Sequence, residues 1–149
     1  MTDSPAPSPS VSPGQSRRPK VLRVSLGGFG PNWEVKYLGK GRLRYAYSAG
    51  ALFDRSGTIV EPTPAQWEQF WRELSTIGFW DWAGEYLPKE DILDGLCWSL
   101  EVAVAGQSLI SRGDNAYPGG QHCAYDKNSE FYLFLAALAR LTGCRKLVR

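Results

Sequence analysis

Apolar and polar residues alternate along "KVLRVSL", where Leu22, Val24 and Leu26 fall against Arg23 and Ser25. That period of two is the mark of a half-buried strand. "WEVKYL" and "RLRYAY" repeat the pattern on either side of Gly39-Lys40-Gly41. A loop of these three residues pairs Tyr37 with Leu43, Val35 with Tyr45 and Trp33 with Tyr47 on one face. Lys36 then lies near Arg44, and Leu38 near Arg42, on the other. A two-residue turn would set Tyr37 opposite Arg42 and mix the faces, so it is rejected. "SAGALFDRSGTIVEP" has no period, and a small hairpin around Asp54 to Gly57 is the most it supports.

The period then changes to that of a helix in "TPAQWEQFWRELSTIG". Thr63 is the expected N-cap, Pro64 suits the first helical position, and Gln66 completes a capping box. Trp67, Phe70, Trp71, Leu74 and Ile77 share one face, and Gly78 is the stop. "FWDWAGEYLPKEDILDG" reads as a loop with aromatic anchors. A second hairpin follows. Its expected Gly106-Gln107 turn pairs Val104 with Leu109, Val102 with Ser111 and Glu101 with Arg112, leaving Trp98, Leu100, Val102, Val104 and Leu109 on the inner face. The last periodic stretch, "SEFYLFLAALARLTG", carries Phe131, Phe134, Leu135, Leu138 and Leu141 on one stripe and ends at Gly143.

Strands then helix, hairpin then helix, is a ββα order used twice. One apolar face per strand set and one apolar stripe per helix define an α+β fold: an antiparallel sheet of about five strands with two helices on one face. The other face would carry Arg23, Lys36, Arg42, Arg44 and Arg112 against Glu34 and Glu101. One domain is expected over 20–149, preceded by a Pro- and Ser-rich leader over 1–19 with too little apolar surface to order itself.

The chain has 149 residues, of which 43% are hydrophobic and 21% charged, enough for a core without disulfides. Its charge of +2 sits in the first twenty residues: with Arg17, Arg18, Lys20 and Asp3 set aside, 14 basic and 14 acidic residues remain of 17 and 15. A neutral domain argues against a dedicated nucleic-acid binder, whose affinity rests on phosphate neutralisation. Cys97, Cys123 and Cys144 are odd in number and widely spaced, which is not a disulfide framework. With no apolar signal segment at the start, the expectation is a reducing compartment and a cytoplasmic protein of bacterial type.

Candidate chemistry is sparse. His122 is the single histidine and directly precedes Cys123, and neighbours in a strand point opposite ways, so the two make a poor dyad. No nucleophile elbow, phosphate loop or dinucleotide fingerprint is present, and no cofactor is expected. Asp81, Glu85, Glu90, Asp91 and Asp94 cluster along the chain but match no calcium loop, and the cysteines and histidine lack metal-ligand spacing, so no metal is assigned. "RGD" at Arg112 to Asp114 is a chance match to an adhesion tripeptide. Trp80 and Trp82 are either plugs over the core or binding anchors, the plug being favoured.

"GGF" at Gly27 to Phe29, following a first strand, and "LDGLCWSLEV" leading into the second hairpin are similar to the emfourin-type inhibitors of thermolysin-like metallopeptidases. The outline also resembles small bacterial ββα-ββα domains with an "FWD" segment after the first helix. The resemblance implies a non-catalytic binding domain. The leading expectation is therefore a non-enzymatic protein-binding or inhibitor-like domain with a protein partner, a peptidase being one form. Its contacts are placed at Phe29, Trp82, Arg112, Asn115 and Tyr117, because aromatic and Arg residues dominate interface energies. Two alternatives stand beside it. One is a small-ligand pocket or enzyme site built from Asp81, Asn115, Tyr117 and His122. The other is weak nucleic-acid binding through the basic sheet face.

Overall fold

A computed structural model describes residues 17–28, 32–48, 57–88, 96–118, 129–144 and 147. Strands β1 (Val21–Gly28), β2 (Asn32–Gly39) and β3 (Arg42–Ser48) are followed by β4 (Thr58–Val60) and helix α1 (Pro64–Thr76). A 3₁₀ turn (Phe79–Asp81), β5 (Glu85–Tyr86), β6 (Leu96–Val104), β7 (Gln107–Asp114) and helix α2 (Glu130–Thr142) complete the order. The strands form one seven-stranded sheet in the order β4-β3-β2-β1-β6-β7-β5. Neighbours are antiparallel except β5, which runs parallel to β7. The α+β class stands. The sheet has two strands more than expected, because β4 and β5 are short and carry no alternation to read.

The first hairpin keeps its expected pairs, Trp33 with Tyr47, Val35 with Tyr45 and Tyr37 with Leu43. Near the turn the register shifts: Gly39, not Leu38, stands opposite Arg42. Gly39, Lys40 and Gly41 all take positive φ, and the Gly41 N–H donates to the Tyr37 hydroxyl at 2.9 Å.

The second hairpin corrects its expected register. Val104 pairs with Gln107, Val102 with Leu109, Glu101 with Ile110 and Ser99 with Arg112. The Glu101–Arg112 pair does not form. The turn residues are Ala105 and Gly106, both at positive φ (45° and 86°). Such a two-residue turn, with positive φ at both positions, matches the twist of the strands it joins. The slip is two residues, so every side chain keeps its expected face.

Helix α1 starts as expected: the Thr63 hydroxyl accepts the Gln66 N–H at 3.1 Å and the Gln66 side chain accepts the Thr63 N–H at 2.7 Å. Trp67, Phe70, Trp71 and Leu74 are buried, and α2 buries Phe131, Phe134, Leu135, Leu138 and Leu141. These residues form one core with Leu22, Val24, Val35, Leu43, Trp98 and Val102. Both helices therefore cover one face of the sheet and pack on each other, and no helix among the described residues covers the other face. Ala136, Ala137 and Ala139 are buried as well, so α2 is enclosed on more sides than its stripe implies.

The described residues reach Arg17, ahead of Lys20. The Arg17 carbonyl accepts the Trp71 indole N–H at 2.7 Å, and its guanidinium lies 3.4 Å from Glu68. No helix among the described residues is long and apolar enough to cross a membrane.

Candidate functional site

β1 ends, β2 begins, β6 begins and β7 ends at the same end of the sheet. On the helix-free side of that end lies an open cleft of about 440 Å³. Alternation aims Ser25, Cys97, Ser99, Arg112 and Asp114 into it, and Trp33, Tyr86 and Trp98, whose positions turn their rings to the helix side, also line it. A Cβ at Gly27 would stand 2.0 Å from the Asn32 Oδ1, so any larger residue there would displace that side chain.

The cleft wall is completed by β5. The Ser111 hydroxyl donates to the Ala83 carbonyl at 2.6 Å, and the Arg112 N–H donates to the Gly84 carbonyl at 3.0 Å. These bonds lay Glu85 beside Arg112. The Arg112 Nε then donates to the Glu85 carboxylate at 2.9 Å. Both side chains are well exposed, so the pair adds little to stability. Across β7, the Cys97 thiol donates to the Asp114 Oδ1 at 3.3 Å. The hydrogen bond to Asp114 raises the thiol pKa, burial adds to the shift, and the Asp114 charge adds again. At neutral pH the sulfur keeps its proton and is a weak nucleophile.

The expected contact residues divide. Arg112 lines the cleft. Asn115 sits at its end in a left-handed conformation (φ 53°). Its Oδ1 accepts the Leu96 N–H at 2.9 Å and its own N–H donates to the Leu96 carbonyl at 3.0 Å, so it closes the hairpin. Trp82 and Tyr117 are turned into the core. Trp82 is 7% exposed and donates to Glu130 at 3.0 Å. Tyr117 is 5% exposed, with its ring 5.0 Å from Phe131. Both bury because the chain folds back over the N-terminal end of α2. Trp82 is thus a plug, and Trp80 packs partly buried against Phe79. Phe29 and His122 lie outside the described residues, as does the expected turn at Asp54.

The alternative pocket does not assemble from its described members. Asp81 is exposed, Asn115 is committed to Leu96, Tyr117 is in the core, and none of the three lines the cleft. Among the described residues, no three His, Cys, Asp or Glu side chains come together. The "RGD" residues are part of β7. Gly113 lies under the Trp98 indole, where a Cβ would meet Nε1 at 2.3 Å.

Cys97, Asp114 and Glu85 belong to the cleft and are not among the contact or pocket residues expected from the sequence. Alternation places Cys97 and Asp114 outward, but their pairing depends on the register of the second hairpin. Glu85 depends on a two-residue strand with no pattern of its own. Comparison of the chain with protein-family models gives no match, and no curated protein matches it either.

Proposed function

We propose that this is a non-enzymatic protein-binding domain that works through the helix-free side of its sheet. The observation that supports this reading best is the state of the cleft. Its ionic groups engage each other, Arg112 with Glu85 and the Cys97 thiol with Asp114. A thiol hydrogen-bonded to a carboxylate that raises its pKa is suited to packing against a partner rather than to attack. An inhibitor of peptidases is one form of this reading, carried by the likeness of the "GGF" and "LDGLCWSLEV" segments.

Ser99 is exposed and stands between Ser25 and Arg112 in the cleft, so Ser99→Trp fills it without touching the core. The immobilised full chain is incubated with a bacterial lysate, and captured proteins are identified by mass spectrometry. The expected result is specific capture by the wild type and its loss in Ser99→Trp at unchanged melting temperature. No specific capture by the wild type overturns protein binding, and equal capture by both forms removes the cleft from the contact.

A further inference from the structure

Six residues far apart in the chain stand side by side across the helix-free face. Ile59 is opposite Arg44, Arg44 opposite Lys36, Lys36 opposite Arg23, Arg23 opposite Glu101, and Glu101 opposite Ile110. We propose that this row is the docking surface for an acidic segment of a partner protein. The inference rests on the protein-binding reading above and names the partner's chemistry.

Three cations occupy consecutive positions of the row on three adjacent strands. Like charges directly opposite one another destabilise a sheet, and Glu34 beside Arg44 and Glu101 opposite Arg23 offset these only in part. Arg44 is 3.7 Å from Glu34, but Arg23 and Lys36 are exposed and have no ion pair among the described residues. Arg42 adds a further exposed cation two positions along β3 from Arg44. An anionic partner would turn this local repulsion into attraction.

The ends of the row give the partner's class. Ile59 is 55% exposed and Ile110 69%, on the outermost positions of the same line. Strand spacing of about 4.8 Å makes the row roughly 24 Å long, the span of about seven extended residues. Apolar ends around a cationic centre complement a protein segment with acidic residues between apolar ones. Nucleic acid fits less well. Bases need ring faces to stack on, and strand pairing turns Trp33, Tyr37, Tyr45, Tyr47, Tyr86 and Trp98 to the helix side, as partners of inward-facing positions.

The full chain is titrated by fluorescence anisotropy with three labelled probes: a run of glutamates with a leucine at each end, its glutamine counterpart, and a single-stranded DNA of similar length. The glutamate peptide should bind at low ionic strength, weaken as salt screens the charges, and bind far more tightly than the other two. Lys36→Glu and Arg23→Glu should each weaken it about tenfold or more, and Ile110→Ser should weaken it further. Arg72→Glu, an exposed site on α1, should leave it unchanged. Lys36→Glu relieves like-charge repulsion with Arg44 and Arg23, so its melting temperature should not fall. No peptide binding at low ionic strength overturns the proposal. So does an equal loss in Arg72→Glu, which would show non-specific attraction, and so does tighter binding of DNA with the same dependence on Lys36. If lysate capture persists while the peptide fails, this inference falls and the protein-binding reading stands.

Discussion

At Cys97 a single hydrogen bond decides reactivity. The thiol is exposed, yet its proton is shared with the Asp114 carboxylate. Its folded pKa is raised, first by that hydrogen bond, then by burial and by the Asp114 charge. A raised pKa favours the protonated form in the folded state. The contribution to stability is therefore full below the ordinary thiol range and is lost as pH rises through the raised folded value. Asp114→Asn removes the charge and sets an amide donor near the sulfur, so the thiolate becomes easier to form. Alkylation of Cys97 by iodoacetamide at mildly alkaline pH, followed at the peptide level, should be slow in the wild type and faster in Asp114→Asn. Equal rates would mean that the carboxylate does not hold the proton. Period-two alternation already turns Cys97 away from Trp98 in the sequence. What alternation leaves open is which residue of the facing strand it meets, and here the chemistry lies in that meeting.

Among the elements, those with a long period or a cap are legible, and those held by others are not. The capping box at Thr63 and the stripes of α1 and α2 follow from local spacing. β4 and β5 do not, because three and two residues contain too little alternation, and they form only where a longer strand offers its edge. The second hairpin is intermediate. A slip of two residues preserves the faces, so hydrophobic patterning has no grip on it, and turn geometry makes the choice. That turn keeps an imperfect residue: Ala105 has φ 45°, a left-handed conformation disfavoured for a residue with a Cβ. Ala105→Asn creates the Asn-Gly pair that suits this turn. It should stabilise the protein by up to about 1 kcal/mol, read as a rise in the midpoint of urea unfolding at unchanged slope. A fall in the midpoint would show that the hairpin is closed by a different turn.

On the described strands the large aromatic side chains face the helices and the charged side chains face the other way, and further aromatics close the helix side. Trp82 shows how this is done. Its ring lies within 6.4 Å of Trp98, 6.3 Å of Phe131 and 5.7 Å of Phe134, so one side chain ties the segment after α1 to β6 and to α2. Its indole N–H meets Glu130 in the first turn of α2, which satisfies the polar atom that burial would otherwise strand. The basic row lies on the far face, with the sheet between. Trp82→Ala should therefore remove about 3–5 kcal/mol of stability, measured by urea unfolding. Affinity for the glutamate peptide, measured at a temperature where the variant remains folded, should stay close to that of the wild type. A variant that kept its stability and lost the peptide would return Trp82 to the binding surface. It would also break the division between a face that holds the fold together and a face that meets a partner.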